Sequence, residues 1–404
     1  MSTDLDRPDA PALRHARGAV AALFLTNGAL FANLIPRYPQ IKEALELPSA
    51  AYGAAIAGWP MGAMVAGLGA GALVRRFGSA RVAVVGTLLT SLGIFAAGAA
   101  PTVWVFVLAL LLGGGMDAIT DVAQNTHGLR VQRLYRRSII NSFHAVWSIG
   151  AVLGGAMAAG AIALEVPLPL HLGTTAVVFS VVSLVALRFT LPGRERSDAA
   201  ESPSAPAASR HTGRAGTRVL LALLALVLIG IAGAVGEDAG NSWATLYLGS
   251  DLGAAGALAA SGYIALVGAQ FIGRVLSDRM VDRFGQRAVA RTGGLIVAIG
   301  MGLALAWPTV PGTIAGFAAT GFGVAPLIPL AMNQADELPG LRPGTGLTIV
   351  SWLLRLGFLL SPPLIGWVTD VTSLRVGLLL VPLAGLAVLV LARVLPGRRF
   401  YRLP

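Results

Sequence analysis

Long apolar runs separated by short polar breaks cover most of the chain. Runs near or above the roughly 20 residues that cross a bilayer recur through both halves, and the alternation typical of an outer-membrane barrel is absent. Because helices satisfy their own backbone in lipid, the pattern predicts an all-α integral membrane protein with twelve transmembrane helices in two pseudo-symmetric bundles of six. The predicted spans are residues 17–35, 52–74, 82–99, 103–130, 140–164, 172–190, 219–246, 255–280, 288–307, 313–333, 344–368 and 374–395.

One long polar interval, residues 194–218, divides the spans into two sets of six. Its Ser, Ala, Pro and charged residues offer too little apolar surface to offset the entropy of ordering, so it is predicted to be a flexible linker. The predicted organisation is therefore an N-terminal bundle over 1–191, a cytoplasmic linker over 192–217 and a C-terminal bundle over 218–404.

The charge pattern agrees with a membrane protein. The chain is 55% hydrophobic and only 12% charged, which is outside the range of soluble domains. Its net charge of +11 comes from arginines that cluster on one side of the predicted spans, whereas Arg37, Lys42 and Arg375 fall in loops on the other side. This asymmetry predicts a multi-pass membrane protein with both termini in the cytoplasm, and it argues against nucleic-acid binding. A single Lys beside abundant Arg, Ala and Gly indicates a prokaryotic source, and hence the prokaryotic plasma membrane.

Several kinds of chemistry find no support in the sequence. The chain has no Cys, and its single lysine, Lys42, is not part of a phosphate-binding loop. No set of nucleophile, base and acid and no metal-ligand spacing is recognisable. The sequence therefore predicts neither an enzyme nor a cofactor or metal site, and it leaves ion gradients as the source of energy.

The two halves contain matching segments. Arg76-Phe77-Gly78 recurs as Arg283-Phe284-Gly285 at a displacement of 207 residues, and Asn125 recurs as Asn333 at 208. A repeat of six-helix units is typical of transporters, with the solute path between the halves near the middle of the bilayer.

The repeated loops resemble those of the major facilitator superfamily, in which a G-x-x-x-D-R-x-G-R-R-like loop follows the second helix of each half. The first copy here spans residues 71–81 and has Arg75 in place of the acid, whereas the second spans 273–287 and keeps the acid as Asp282. The resemblance implies a monomeric secondary transporter that works by alternating access. It also implies a cytoplasmic latch that holds the outward-facing state, with six candidate residues: Arg75, Arg76, Arg81, Asp278, Asp282 and Arg283.

Acids inside predicted spans are candidates for proton coupling, because charge in lipid is costly and is seldom kept without a function. Asp117 and Asp121 follow each other at i, i+4 on one helical face, and Glu237 and Asp238 are adjacent in the seventh span, beside a predicted glycine break. Removal from water favours the neutral form of a carboxyl group, so such groups can take up and release a proton. Asp117 and Glu237 are the leading candidates, with His144 as a relay to the cytoplasm, and Na⁺ remains an alternative ion.

Arg355, in the eleventh span, has two interpretations. It binds an anionic group of the solute, or it is the permanent partner of an intramembrane acid, and the second is slightly favoured. Other polar or aromatic residues in the spans are candidates for contact with a small polar solute: Asn27, Asn33, Asn125, Asn241, Gln270, Asn333, Trp243 and Trp352.

The type of transporter stays open at this stage. The acid before Asn125 resembles that of proton symporters for sugars, including the fucose-type branch, whereas Gly150–Ala156 keeps the glycines of drug-proton antiporters and lacks their proline. The alternatives are a proton-coupled carrier of a small solute, an exporter of lipophilic compounds, and a receptor or scaffold on the same fold. Neither the solute nor the direction of transport follows from the sequence.

Overall fold

Twelve helical segments of the computed structural model are long and apolar enough to cross a membrane, which confirms the predicted number. The structure describes residues 10–135, 139–193, 216–341 and 345–397, so most of the predicted linker lies outside the described residues. The first six segments are Pro11–Ala44, Ser49–Phe77, Ser79–Gly98, Val103–Tyr135, Ser142–Ala163 and Leu168–Leu187. The others are Thr217–Asp251, Gly256–Phe284, Gln286–Ala306, Val310–Asp336, Thr345–Val371 and Leu374–Val394.

Five of these segments consist of two helices each, so the described residues form seventeen α-helices. In the first half the helices are α1 (Ala10–Leu34), α2 (Tyr38–Ala44), α3 (Ser49–Ile56), α4 (Gly58–Phe77), α5 (Ser79–Gly98), α6 (Val103–Tyr135), α7 (Ile140–Ala163) and α8 (Leu168–Leu187). In the second half they are α9 (Thr217–Leu246), α10 (Gly256–Phe284), α11 (Gln286–Ala306), α12 (Val310–Val324), α13 (Leu327–Asp336), α14 (Thr345–Leu353), α15 (Arg355–Val371), α16 (Leu374–Gly377) and α17 (Leu380–Leu391).

The predicted glycine break in the seventh span is wrong. Helix α9 runs without interruption through Gly236 and Gly240 and passes into a short π-helical turn, Tyr247–Asp251. Both glycines pack against neighbours instead, since a Cβ at Gly240 would lie 2.1 Å from Leu266 and one at Gly236 would lie 2.7 Å from Val324. Their small size serves helix packing rather than helix breaking.

The described residues form two compact units. One comprises those within Met1–Leu34 and Gly58–Ala208, and the other those within Ile35–Ala57 and Ser209–Pro404. Residues 35–57, which precede the predicted linker, therefore pack with the second unit. Within that unit the Asp370 carboxylate accepts the backbone N–H groups of Ser49 and Ala50 at 2.9 and 2.8 Å, which caps the start of α3. Arg37, expected in a loop, is almost fully buried there.

The repeated Arg-Phe-Gly segments have the same local geometry in both units. Gly78 and Gly285 have φ of 86° and 85°, a conformation that favours glycine, and each starts the next helix. The guanidinium of Arg76 lies 5.2 Å from the centre of the Phe77 ring, and that of Arg283 lies 5.4 Å from the Phe284 ring. These shared details support the predicted duplication.

A second repeat, which the sequence analysis missed, ends each half. Leu-Pro-Gly occurs at 191–193, 338–340 and 395–397, and the first and third copies follow the last helices of the two halves. Arg130 donates to the carbonyl oxygens of all three residues in the first copy, at 2.7–3.5 Å. Arg287 donates through Nε to the Leu395 carbonyl at 2.9 Å, and its backbone N–H donates to Pro396. In each unit an arginine therefore binds carbonyl oxygens of the segment that follows the last helix of the half.

Helices α1 and α7 of the first unit pack closely and bring polar side chains of the two helices together. A Cβ at Gly150 would lie 2.2 Å from the Leu25 carbonyl oxygen, and one at Gly154 would lie 2.3 Å from that of Ala29. Only glycine allows the two backbones to approach this closely. The approach brings Asn27 of α1 within hydrogen-bond distance of Trp147 of α7.

Candidate functional site

In the first unit, Asn27 is the centre of a hydrogen-bond network. Its amide nitrogen donates to Asp117 Oδ1 at 2.6 Å, and its amide oxygen accepts the Trp147 indole N–H at 2.8 Å. Gln124 Nε2 lies 3.4 Å from the same oxygen. Asn27 and Gln124 are buried, whereas Asp117 is partly exposed. No basic side chain among the described residues forms an ion pair with Asp117, and its hydrogen bond comes from the Asn27 amide.

The network continues from Gln124 to exposed residues. Gln124 Nε2 lies 3.4 Å from Asp121 Oδ1, and Asn125 Nδ2 donates to the same carboxylate oxygen at 3.0 Å. Because this amide donates to Asp121, the Asn125 oxygen is free to accept from His144 Nε2 at 3.1 Å. Asp121 and His144 are both exposed within spanning helices. Contacts through Asn27, Gln124 and Asn125 thus link Asp117 and Asp121 with His144, and their role in proton coupling stays a prediction.

In the second unit, Glu237 of α9 has two partners on α10. Gln270 Nε2 donates to Glu237 Oε2 at 2.6 Å, and a guanidinium nitrogen of Arg274 lies 3.5 Å from the same oxygen. The Glu237 side chain is 17% exposed and that of Arg274 is 39% exposed. Arg274, one of the arginines that the charge pattern grouped on one side of the spans, is the cationic partner of an acid inside a span.

Asp238, the next residue of α9, has a different environment. It is buried, and its Oδ1 accepts the Ser242 hydroxyl at 3.1 Å, whereas its Oδ2 has no hydrogen-bond partner among the described residues. The Tyr52 hydroxyl donates to the Ser242 carbonyl at 2.7 Å, and the Tyr52 ring meets the Trp243 ring edge-on at 5.1 Å. Asp238 therefore lies among packed aromatic rings, without a connection to an exposed polar group in the described part of the chain.

Arg355 is not paired with an acid. It begins α15, directly after the break at Leu354 that separates α14 from α15, and it is partly exposed. Within the described residues it forms no ion pair, so the favoured interpretation, a permanent partner for an intramembrane acid, finds no support. Arg274 of α10 makes that kind of contact instead.

The other predicted solute contacts divide into packed and open positions. Asn33 is buried, donates to the Ala29 carbonyl at 2.8 Å and accepts from His171 at 2.9 Å. Trp243 is fully buried, whereas Trp352 is 47% exposed. Asn241 is partly exposed and Asn333 is exposed. Asn33 and Trp243 therefore pack within their units, and contact of any of these residues with a solute stays a prediction.

The six predicted latch residues are all exposed, and they lie at the ends of helices α4 and α10 and at the start of α5. Within the second unit, neither Asp278 nor Asp282 forms an ion pair with another described residue. The latch stays a prediction.

Sequence reasoning missed four polar residues and misplaced a fifth. Gln124, Trp147, His171 and Arg274 contact predicted site residues, and only the polar run around Gln124 offered a signal. His127 was expected in solvent, but it is buried. Its Nε2 accepts the Leu191 backbone N–H at 3.2 Å and its Nδ1 lies 2.8 Å from the Ser79 hydroxyl, so it links α6 to two other parts of the first unit.

Twelve spans, duplicated loops and carboxyl groups inside the spans define a multi-pass membrane transport protein. The sequence profile of the Major Facilitator Superfamily matches residues 20–281 and 239–402, and the chain belongs to this superfamily. It is therefore a transporter and not an enzyme.

Two bacterial relatives cover almost the whole chain. The "Uncharacterized transporter y4wD" of Sinorhizobium fredii is 30% identical over 93% of this chain and 97% of the relative. The "Membrane protein MosC" of Rhizobium meliloti is 28% identical over 92% of this chain and 88% of the relative.

Solved structures share the fold. A D-xylose-proton symporter has a TM-score of 0.72 at 18% identity and covers 95% of this chain and 98% of its own. A bacterial homologue of the human lysosomal transporter Spinster, in an inward-facing and occupied conformation, has a TM-score of 0.72 at 14% identity, with 96% and 98% covered. At these identities the likeness extends to the fold alone.

Proposed function

We propose that this protein is a proton-coupled secondary transporter of a small solute, that it works by alternating access between its two six-helix halves, and that Asp117 binds the coupled proton. The observation that carries the proposal is the environment of Asp117. Its carboxyl is hydrogen-bonded to Asn27 at 2.6 Å and has no cationic partner among the described residues.

A carboxylate inside a span needs either a counter-charge or a proton, because an uncompensated charge in a low-dielectric environment is costly. Glu237 has a counter-charge in Arg274, whereas Asp117 has none in the described part of the chain. Binding a proton is the remaining way to neutralise Asp117. This difference leads us to place the proton on Asp117 rather than on Glu237.

The network also supplies a route for the proton. His144 and Asp121 are exposed, and Asn125, Gln124 and Asn27 connect them to Asp117 through contacts of 2.6–3.4 Å. Because charged residues exposed inside a span face water rather than lipid, His144 and Asp121 are suited to exchange protons with an aqueous passage. We assign them as relay groups.

Among the proteins with the same fold is one whose title names proton symport, the D-xylose-proton symporter. It supports proton coupling as a use of this fold, and it does not identify the solute. No observation among the described residues favours the alternative of a drug-proton antiporter.

The proposal is tested with the full-length protein in two stages. Thermal stabilisation is first measured with four compounds: neutral D-xylose, anionic D-xylonate, cationic lysine and lipophilic tetraphenylphosphonium. The compound that stabilises the protein is taken as the ligand. Uptake of that ligand into proteoliposomes is then measured with and without a pH gradient, and by exchange of labelled for unlabelled ligand at equal pH.

We expect Asp117→Asn to lose uptake driven by the pH gradient and to retain exchange, because an amide keeps the Asn27 contact but cannot carry a proton. Glu165→Gln, which removes a carboxylate from an exposed loop of the same unit, is the matched control and should behave as wild type. Uptake driven by the pH gradient in Asp117→Asn would refute the assignment. Stabilisation by tetraphenylphosphonium alone would favour the exporter of lipophilic compounds.

A further inference from the structure

Arg274 is the innermost charged residue of the predicted eighth span, residues 255–280. It is ten residues before the end of α10, and the exposed charged side chains of Asp278 and Arg279 follow about one turn later. Its guanidinium contacts Glu237 of α9 rather than an acid of its own helix.

Most of the hydrogen-bonding capacity of Arg274 is unused. A single guanidinium nitrogen contacts a single oxygen of Glu237, at 3.5 Å, and Gln270 donates to that same oxygen. The other donors of Arg274 have no hydrogen bond to a described residue. A guanidinium in a fork geometry usually binds a carboxylate through two parallel hydrogen bonds, and the pair with Glu237 does not do so. One edge of the guanidinium thus remains open to a second oxyanion.

No neighbouring acid among the described residues occupies the open edge of the Arg274 guanidinium. Asp278 is one turn further along α10 and forms no ion pair with Arg274, which contacts the acid of α9 instead. Asp238 contacts Ser242. Arg355, on α15, has no acid partner in the described part of the chain. Arg274 is consequently a cation that lies beside one carboxylate and still has an exposed edge for a second one.

We infer that Arg274 binds a carboxylate group of the solute and that Glu237 holds the guanidinium in place when no solute is present. The solute is then an organic monoanion. Glu237 keeps its hydrogen bond with Gln270 while the solute carboxylate takes the open edge, and no covalent bond changes. The inference rests on the proposed function only where it uses the proton on Asp117. Binding of the solute carboxylate to Arg274 does not depend on that proton.

The charge balance then fixes the stoichiometry of transport. One proton on Asp117 adds a positive charge and one monoanion on Arg274 adds a negative charge, so the loaded transporter carries the same net charge as the empty one. A proton alone neutralises Asp117, whereas a monoanion alone adds a second uncompensated charge inside the spans, so we expect the anion to load only together with the proton. Transport is then electroneutral symport of one proton with one monoanion.

Binding is tested with pairs of compounds in which a neutral sugar or alcohol and its acid differ only in the carboxylate: D-xylose and D-xylonate, D-glucose and D-gluconate, glycerol and glycerate. We expect at least one acid to stabilise the wild-type protein and to bind about tenfold or more tightly than its neutral partner. Arg274→Gln should remove that preference. Arg279→Gln, which removes a positive charge from the same helix, should keep it.

Two further variants separate binding from folding. Glu237→Gln should bind the acid more tightly than wild type, because the competing carboxylate is gone. Glu237→Gln combined with Arg274→Gln removes both charges of the pair, so it should fold and yet show no preference for the acid. Unchanged preference for the acid in Arg274→Gln, or no stabilisation by any of the three acids, would overturn the inference.

Electroneutrality is tested in proteoliposomes by imposing either a pH gradient or a potassium diffusion potential with valinomycin. We expect uptake of the bound acid to follow the pH gradient and to be indifferent to the potential. Uptake that responds to the potential would overturn the stoichiometry. Binding through Arg274 without any proton movement would instead refute the proton-coupled function and leave the assignment of Arg274 intact.

Discussion

Each unit of this transporter has two acids inside its spans, and the leading candidate of each unit is neutralised in a different way. Asp117 in the first unit accepts an amide N–H from Asn27 and forms no ion pair with a described residue, whereas Glu237 in the second unit shares Oε2 between Gln270 and Arg274. The role of an acid inside a span is therefore indicated by the groups that contact the acid, and not by its position in the span alone. An acid without a cation is suited to a proton, and an acid with a cation keeps that cation in position.

The largest effect should follow from reversing the charge of Arg274. Arg274→Glu places two carboxylates side by side, and because the pair is 39% and 17% exposed the expected loss of stability is at the lower end of the range for a buried pair, about 3 kcal/mol. Thermal unfolding of the purified protein measures the loss. The exchange variant Glu237→Arg with Arg274→Glu restores opposite charges and should recover most of the stability. Equal instability of the single and the exchanged variant would mean that the ion pair contributes nothing.

A second prediction compares the amide groups that hold the two acids. Asn27→Leu leaves Asp117 and the Trp147 indole without partners, and we expect it to reduce the free energy of unfolding by about 2–3 kcal/mol. Gln270→Leu leaves Glu237 with Arg274, so the expected loss is about 1 kcal/mol. Equilibrium unfolding in detergent measures both. A larger loss in Gln270→Leu would reverse the proposed contrast between the units.

A third prediction concerns the packing on which the network of the first unit depends. Gly150→Ala would place a Cβ against the Leu25 carbonyl oxygen, so α1 must move away from α7, at a cost of about 1–3 kcal/mol. Gly160→Ala lies on the same helix with no atom within 4 Å of the added Cβ, and it should be neutral or slightly stabilising. Thermal unfolding and fluorescence of Trp147 report both changes. Equal thermal stability of the two variants would show that the network of the first unit does not require the close approach of α1 to α7.

The smallest effect is expected at the ends of the two halves. Arg130→Ala removes side-chain donors from three carbonyl groups, whereas Arg287→Ala removes one side-chain hydrogen bond and keeps the backbone contact to Pro396. We expect losses of about 1 kcal/mol for Arg130→Ala and less for Arg287→Ala, because exposed hydrogen bonds contribute little. Hydrogen exchange at residues 191–193 and 395–397 would detect the local loosening. A larger loss in Arg287→Ala than in Arg130→Ala would contradict the expectation that the loss increases with the number of carbonyl groups that lose a donor.

Features that depend on neighbours along the chain were predictable. The twelve spans follow from apolar length, and the shared face of Asp117, Asp121 and Asn125 follows from helical periodicity. The duplicated Arg-Phe-Gly segments were recognisable because each requires a glycine with positive φ at the same point. The Leu-Pro-Gly repeat was equally visible in the sequence and was overlooked.

Features that depend on which helices pack together were not predictable. Arg274 looked like any arginine near a helix end, and only the packing of α10 against α9 places it beside Glu237. Arg355 looked like the cation for an acid, yet the break before α15 leaves it without one among the described residues. His127 looked exposed because it follows the polar run of α6, whereas its two ring nitrogens bind other parts of the first unit.

The sequence by itself determined that this protein is a helical membrane transporter with two related halves and that acids inside its spans are unusual, because apolar length, repetition and local spacing are properties of the chain. The tertiary structure decided which acid has a cation and which has only amides. That distinction arises from contacts between residues 33 to 97 positions apart, such as Gln270 with Glu237 and Gln124 with Asn27. Helix rotation and packing set such contacts, and neither can be read from local periodicity.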